Sequence, residues 1–392
     1  MSRPFRLAFL TSHPIQYQAP LFRALARRPE IELTVLFCSE DGVREYEDSG
    51  FGTPVRWDTP LLDGYRHVFL KNLNPGRWGG TMLRHLNPGV GRLLREHRFD
   101  ALIVHGWAHF TNWLAFITAS RLGVPILLRG ESNGLREPGG IKGTVKRCVL
   151  GWLFRRTAGF LAIGSLNREF YRRYDVADER IFFAPYAVDN VFFQAQHRRL
   201  PPRDRLRSDE SIPVDACVFM FCGKLTAVKR PLDLVDAFAR LPRGSSSFLL
   251  FVGDGPLRPQ VEARAHEVGN IRVTGFRNQS ELPRYYAMAD VLALPSAFEP
   301  WGLVVNEALN YGLDVIASDQ VGAAVDLVRR GVTGTIVAVG DVPGLARAMT
   351  QYASQSRTRP SPAALDMIAG WNVSAAADGI VSAVVRSVGA RK

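Results

Sequence analysis

Short runs of Val, Ile, Leu, Phe and Ala alternate with longer stretches of helical period across nearly all 392 residues, and this alternation constrains the fold more than any single motif. In the first half, the runs Arg6–Ser12, Glu32–Cys38, Ala101–His105, Pro125–Arg129, Phe160–Ile163 and Ile181–Ala184 predict strands. Helical spacing predicts helices over Gln18–Arg28, Thr81–Glu96, Thr111–Arg121 and Thr144–Arg156. A second set of strands runs through Cys217–Cys222, Phe248–Val252, Ile271–Thr274, Val291–Leu294, Val315–Ser318 and Thr335–Ala338, again with helical segments between. Strands that are apolar on both faces and separated by helices predict parallel sheets covered on both sides.

The chain is long for one core and suits two domains. Between the two sets of strands lies Gln194–Pro213, rich in charge and proline and almost free of apolar periodicity, which predicts a linker. The expected organisation is α/β: two Rossmann-like, doubly wound domains, residues 1–193 and 214–370, joined by residues 194–213 and followed by a C-terminal helix within 371–392. Ligands in such sheets bind at the carboxyl ends of strands, so the two domains are expected to face each other across a cleft.

Hydrophobic residues at 46% and charged residues at 22% exclude a disordered or fibrous chain. No run approaches the ~20 consecutive apolar residues of a membrane span. The apolar N-terminus, Met1 to Thr11, lacks a small-residue cleavage site and reads as the first strand. Cys38, Cys148, Cys217 and Cys222 show no CxxC spacing, which predicts buried, reduced thiols in a cytoplasmic protein. The net charge of +12 is concentrated: Arg136 to Arg173 holds nine basic and two acidic residues. Such a cluster calls for an anionic neighbour, either nucleic acid or a membrane surface.

Four local features bear on chemistry. FEPWGLVVNEALNYG, residues 298–312, follows an apolar strand and opens a helix near Gly302, placing Glu299 in the loop and Glu307 about one turn into the helix. The N–H groups of Gly302, Leu303 and Val304 then fall in the first turn, where unpaired donors and the helix dipole favour phosphate. In FCGKLTAVKRPLDLV, residues 221–235, Gly223 and Lys224 stand just past a strand and Lys229 just before a helix, so two ammonium groups could meet a diphosphate. Gly253, Asp254 and Gly255 form a tight strand-to-helix turn that would let a nucleotide approach the backbone. Gly275 and Phe276 end another strand, where backbone groups could read a base edge. Each alone has an ordinary explanation as capping, surface lysine or tight turn.

Together, in this order and spacing, they resemble the C-terminal half of the retaining family-4 glycosyltransferases (glycosyl transferases group 1), which have the GT-B fold. The resemblance runs from about Phe221 to Asp341 and includes DVIASDQVGAAVDLVRRGVTGTIV, residues 314–337. It implies that Lys224 and Lys229 neutralise the diphosphate of a nucleotide-sugar donor as it leaves. It implies further that Glu307 holds the ribose, that Glu299 orients the donor sugar, and that Gly302, Leu303 and Val304 bind phosphate. Gly223, Gly253, Asp254 and Phe276 would complete the donor site. Fixed cations would replace a metal, the anomeric configuration would be retained without an enzyme nucleophile, and no cofactor beyond the nucleotide sugar would be needed. Asp314 stands where the family commonly has Pro, and is expected at a strand edge with only a local effect on stability.

The N-terminal half departs further from the family. Its first loop, TSHPIQYQAPL, lacks the usual Gly-Gly pair, so His13, Gln16 and Tyr17 are expected to contact acceptor or donor through side chains. His105, ending the strand ALIVHG, resembles the family's histidine near the acceptor and sugar, with His109 as a second choice. LLRGESNG, residues 127–134, brings Arg129, Glu131, Ser132 and Asn133 to another strand end, where polar groups suit sugar hydroxyls.

In Thr144–Thr157, Val145, Val149, Trp152 and Leu153 share one helical face with Lys146, Arg147, Arg155 and Arg156 around it. An interfacial helix on anionic lipid fits this pattern, and so does a core-packing helix with a basic outer face. A nucleic-acid partner is disfavoured because no recognition motif accompanies the charge. The expected function is transfer of a hexose-type sugar from a UDP- or GDP-linked donor to a glycan or lipid-linked acceptor in cell-surface polysaccharide or glycolipid synthesis. The protein would be cytoplasmic, resting on the inner face of the membrane. Alternatives are a soluble glycosyltransferase with a small-molecule or natural-product acceptor, a UDP-sugar 2-epimerase of the same fold, and a non-enzymatic sugar-nucleotide-binding protein.

Overall fold

The structure, a computed structural model, describes residues 3–48, 50–74, 80–136, 139–355 and 360–389. Its first nine strands are β1 (Phe5–Thr11), β2 (Ile31–Phe37), β3 (Tyr46–Asp48), β4 (Thr53–Val55), β5 (Arg66–Phe69), β6 (Ala101–His105), β7 (Ile126–Arg129), β8 (Gly159–Ala162) and β9 (Ile181–Phe183). The remaining six are β10 (Cys217–Cys222), β11 (Ser247–Val252), β12 (Ile271–Val273), β13 (Val291–Leu294), β14 (Asp314–Ser318) and β15 (Gly334–Val337). The chain folds into two compact units: Met1–Glu45, Pro60–Tyr186 and Val373–Lys392 form unit 1, while Tyr46–Thr59 and Ala187–Asn372 form unit 2.

Unit 1 holds a seven-stranded sheet in the order β5-β2-β1-β6-β7-β8-β9, parallel throughout. Alternate side chains feed two cores. Leu7, Phe9, Ile103, Leu127 and Leu161 pack on one face with Leu25, Ala377, Ile380 and Val384, whereas Ala8, Leu10, Leu102, Val104 and Phe160 pack on the other with Phe116, Leu153 and Phe154. Burial on both faces is why these strands read as unbroken apolar runs. The strand order reverses between β1 and β6.

Unit 2 holds a six-stranded parallel sheet in the order β12-β11-β10-β13-β14-β15, reversing between β10 and β13, and a two-stranded antiparallel hairpin of β3 and β4. The hairpin lies within residues the sequence reading assigned to the first domain. Side-chain contacts explain its grouping with unit 2: Lys224 Nζ donates to Asp48 Oδ1 at 2.7 Å, Asn278 Nδ2 donates to Arg56 O at 2.7 Å, and Phe51 packs edge-on to Phe276 with centroids 4.9 Å apart.

Several sequence expectations change. Residues 194–213, expected as a linker, carry the end of a helix at Asn190–Arg199 and a second helix at Arg203–Asp209. Asp189 caps the first by accepting from Phe192 N–H at 3.0 Å. Arg207, 2% exposed, anchors the second, donating to the carbonyls of Met288, Val214 and Ala216 and to Asp290 Oδ2 at 2.7 Å. Asp290 also accepts from Val218 N–H at 2.8 Å and pairs with Arg203. What reads as solvated charge is thus in part a buried ion network.

The helix predicted over Thr81–Glu96 breaks into Gly80–Leu83 and Gly89–His97. Between them Asn87 is buried, its side-chain amide donating to Cys38 O and Leu70 O. Cys148 is exposed and Cys217 half-buried, against the expectation of four buried thiols. Asp314 is not at a sheet edge: β14 has β13 and β15 on either side, and Asp314 opens it fully buried. By length and composition Pro362–Gly389 could cross a membrane. It divides into helices Pro362–Ala369 and Val373–Gly389, and the second buries Ala376, Ala377, Ile380, Ala383 and Val384 in unit 1; residues 390–392 of the expected C-terminal helix lie outside the described residues.

Candidate active site

In each sheet the loops at the carboxyl ends of the two strands flanking the order reversal diverge, leaving a crevice where ligands bind in doubly wound folds. In unit 2 those loops follow β10 and β13, and they carry Gly223, Lys224 and Lys229 on one side and Glu299 and Gly302 on the other. Lys229 and Glu299 form an ion pair and are both mostly buried, with side chains 21% and 15% exposed. Burial, reinforced by repulsion from Lys224, lowers the Lys229 ammonium to about 8. Lys224 is clamped by Asp48 through both carboxylate oxygens, 2.7 and 2.9 Å away, and lies over the Phe51 ring. Burial alone would raise the Asp48 carboxyl, but Lys224 and the N–H groups of Gly50 and Phe51 hold it below its usual value.

The Glu299 loop is fixed by its backbone: Glu299 N–H donates to Gln320 O at 3.0 Å, and Gly322 N–H donates to Glu299 O at 3.0 Å. Gly302 then turns the chain at φ +99°, and no side chain caps the helix Leu303–Leu309 that it opens. A Cβ at this position would lie 3.1 Å from Glu299 Cγ, so glycine is required both for the dihedral and for the fit. The first-turn N–H groups of Leu303 and Val304 follow directly.

Glu307, to which the resemblance assigns the ribose, lies within the fold of unit 2. It is 9% exposed, with Oε2 accepting from Tyr286 Oη at 2.6 Å. Burial raises its carboxyl to about 7, against the lowering effect of the Tyr286 bond. Because the folded value lies above the unfolded one, the stability tied to this group is complete below about 4.5 and is lost as pH rises through about 7. Glu307→Gln keeps the size and removes the charge. It is expected to be more stable than the parent at pH 8, by up to roughly 3 kcal/mol, and to lose that advantage near pH 4. Thermal melts of both proteins across this range check it; equal Tm values at pH 8 would contradict the assignment.

Gly253 and Asp254 shape the loop after β11. A Cβ on Gly253 (φ +145°) would lie 1.9 Å from Gly223 O, so the glycine permits two strand-end loops to touch. Asp254 spends both oxygens on its own turn, accepting from Gly255 N–H at 2.8 Å and Arg258 Nη1 at 2.6 Å. Phe276 is half-buried among Phe51 and Trp57 at centroid distances of 4.9 and 6.2 Å.

In unit 1 the order reversal brings Gln18, after β1, to His105, at the end of β6. Gln18 Nε2 lies 3.3 Å from His105 Nδ1, and Tyr186 Oη lies 3.3 Å from Nε2. With Gln18 donating, the imidazole keeps its proton on Nε2 for the Tyr186 oxygen, and Tyr186 donates to Glu131 Oε1 at 2.5 Å. Burial would raise the Glu131 carboxyl, yet His105, Tyr186 and Arg129 hold it below its usual value. Glu131 is the open end of this chain, its side chain 38% exposed against 16% for His105.

Arg129 sits beneath the Tyr186 ring. It is buried, donates to Ala184 O at 3.0 Å and stacks on the Tyr186 ring, which braces the tyrosine. Tyr17 meets Tyr186 edge-on at 6.0 Å, and Gln16 Oε1 is buried without a hydrogen-bond partner among the described residues. His13 Nδ1 pairs with Ser12 Oγ at 2.9 Å. His109 bonds the backbone of Thr81 and packs on His85 instead. Ser132 offers its carbonyl to Asn167, and Asn133 caps Leu135 N–H. Gln18, Tyr186, Asp48 and Tyr286 were missed from the sequence. Only Gln18 carried a signal, as a polar residue between apolar positions beside a predicted strand end.

Among the described residues no cluster of three or more His, Cys, Asp or Glu could hold a metal ion. Two family descriptions match the chain, "Glycosyl transferase 4-like domain" over residues 14–187 and "Glycosyl transferases group 1" over residues 202–365. An uncharacterized glycosyltransferase of Methanocaldococcus jannaschii is 30% identical over 71% of this chain and 74% of its own length. The chain is a family-4, group 1 glycosyltransferase. This glycosyltransferase is also similar to the D-inositol 3-phosphate glycosyltransferase of Streptomyces scabiei, 28% identical over 81% of this chain and 77% of the relative. HepE of Anabaena, solved in complex with UDP and glucose, covers 97% of the glycosyltransferase and 100% of its own chain at 18% identity and a TM-score of 0.72, a likeness that shows the GT-B fold. Family membership sets the epimerase and the non-enzymatic alternatives aside.

Proposed function

We propose that this glycosyltransferase moves a hexose-type sugar from a UDP- or GDP-linked donor to a glycan or lipid-linked acceptor, with retention and without a metal. The observation that carries the donor half is the pairing of Lys229 with Glu299 beside Lys224 at the reversal of the unit 2 sheet. Charge develops on the β-phosphate as the glycosidic bond breaks. Two ammonium groups and the N–H groups of Leu303 and Val304 would stabilise it without reorganising. Glu299, released from Lys229 by the incoming phosphate, would orient the sugar, and Glu307 would take the ribose hydroxyls through its second oxygen. In unit 1, Glu131 would accept from sugar hydroxyls while His105, Tyr186 and Gln18 hold it in place. The UDP and glucose of the HepE complex support a nucleotide-sugar donor.

A membrane-proximal acceptor is supported by the helix Gly140–Arg156. Ile141, Val145, Val149 and Trp152, spaced i, i+4, i+8 and i+11, are all exposed, whereas Leu150, Leu153 and Phe154 are buried. Four large apolar side chains on an outward face that also bears Lys142 and Arg156 suit an anionic membrane surface on the cytoplasmic side. A small-molecule acceptor is the second reading, supported by the D-inositol 3-phosphate glycosyltransferase.

The test is direct. Thermal shifts with UDP, GDP and ADP identify the base, since a ligand at ~100 Kd stabilises by about 2.7 kcal/mol. With the matching nucleotide sugar, the anomeric proton coupling of the product, read by NMR in EDTA, should match that of the donor. An inverted product sinks retention, and activity lost in EDTA and restored by Mg²⁺ sinks metal independence.

A further inference from the structure

The hairpin of β3 and β4 holds a cation that the proposed function assigns to the donor diphosphate. β12, β11 and β10 are neighbours in the unit 2 sheet, and the segment Tyr46–Thr59 reaches the loop after each of them. After β10, Asp48 grips the Lys224 ammonium with both oxygens, and that ammonium lies 4.8 Å from the centre of the Phe51 ring. Gly50 presses on the stem of the same lysine, so closely that a Cβ there would lie 2.5 Å from Lys224 Cδ. After β11, a Cβ on Gly255 would lie 3.0 Å from Gly50 O. After β12, Phe276 packs against Phe51 and Trp57, Asn278 Nδ2 donates to Arg56 O, and Ser280 Oγ donates to Asp58.

These attachments differ in kind. Arg56, Trp57 and Asp58, beyond β4, anchor the segment to the loop after β12 by hydrogen bonds and ring packing. Asp48 and Lys224 form an ion pair, which an incoming anion contests directly. The carboxylate is preorganised for that contact, accepting from Gly50 N–H at 2.8 Å and Phe51 N–H at 3.2 Å. The Lys224 side chain keeps 36% of its surface exposed, so an anion reaches it from solvent. A diphosphate carries more negative charge than one carboxylate and therefore outbids it for the ammonium. We propose that Asp48 regulates the donor site as a built-in competitor: it holds Lys224 until a nucleoside diphosphate or nucleotide sugar displaces it and frees the hairpin tip. This rests on the reading that Lys224 takes the donor diphosphate. Binding then requires the pair to be open, so the apparent affinity is the intrinsic one multiplied by the open fraction. A pair closed nine-tenths of the time weakens binding by about tenfold.

The test uses the full chain and two readouts. Asp48→Asn removes the charge but keeps an amide oxygen for the N–H groups of Gly50 and Phe51, so the turn is retained. In titration calorimetry with UDP, GDP and ADP, the diphosphate that binds the parent should bind Asp48→Asn about tenfold more tightly. The matching free nucleoside, which has no phosphate to place on Lys224, should gain nothing. Hydrogen exchange of the parent is the second readout, and it does not depend on the variant folding. A saturating diphosphate should raise amide exchange across residues 46–53, and the nucleoside should not. Diphosphate affinity that is unchanged or weaker in folded Asp48→Asn overturns the proposal. Exchange across residues 46–53 that is unchanged or lowered by the diphosphate also overturns it, because the hairpin would then be a fixed wall. Either failure with a diphosphate still bound to the parent leaves the donor reading standing. Failure of all three diphosphates to bind the parent overturns both.

Discussion

Asp290→Ala is expected to destabilise unit 2 by about 3–5 kcal/mol, the cost of leaving a buried ionic partner uncompensated. The carboxylate opposes Arg203 and Arg207 and accepts from Val218 N–H at the start of β10. Its loss leaves the Arg207 guanidinium, 2% exposed, beside carbonyls alone. Burial lowers the Arg207 pKa and the neighbouring Asp290 charge opposes that fall, so removing the carboxylate exposes the full penalty. Arg207→Met should cost a similar amount, because the carbonyls of Met288, Val214 and Ala216 lose their donor. The double substitution should cost clearly less than the sum, since both residues serve one network. Urea unfolding of the three variants checks this, and a loss below about 1 kcal/mol for Asp290→Ala would show that the network is dispensable.

Lys229→Ala is expected to lower kcat/KM by about 10²–10³, the usual effect of deleting one preorganised group that meets developing charge. The loss should fall on kcat, because the ammonium acts most strongly once the diphosphate is leaving. The variant also leaves Glu299 without its partner, so Tm must be measured alongside; an unchanged kcat in a folded variant would remove the mechanism. A pH signature belongs to the same residue. Burial and Lys224 bring the Lys229 ammonium down to about 8 in the ligand-free protein. A bound diphosphate favours the charged form, so binding takes up a proton above that pH. Affinity for the nucleoside diphosphate should therefore be level below pH 8 and weaken by up to tenfold per unit above it. The free nucleoside, which carries no phosphate, should show no such slope. Titration calorimetry from pH 7 to 9.5 gives both curves, and a level diphosphate curve would place the proton elsewhere.

The loops after β10 and β13 were legible because their residues lie close together in the chain. Glu299, Gly302, Lys224 and Lys229 lie within a few residues of strand ends, and a strand end at an order reversal is where a doubly wound sheet presents its loops. The unit 1 chain of Gln18, His105, Tyr186 and Glu131 comes from four separate strand ends. Only His105 and Glu131 stood out, because nothing in a tyrosine after an Ile-Phe-Phe run announces the histidine it will meet. Arg129 shows what the sequence leaves open: a cation at a strand end reads as exposed charge, yet it lies buried under Tyr186.

Period and punctuation in the sequence were enough to determine two parallel α/β sheets, their main strands, and the residues gathered at the carboxyl ends of β10 and β13. These depend on contacts near in sequence and on the alternation of apolar side chains, which a linear pattern records. Tertiary structure alone decided that residues 46–59 join unit 2 through Asp48, Arg56 and Phe51, that helix Val373–Gly389 returns to unit 1, and that 194–213 is anchored through Arg207. Each of those outcomes rests on pairings between residues far apart in the chain, where burial of a charge is favourable only if its partner arrives from elsewhere.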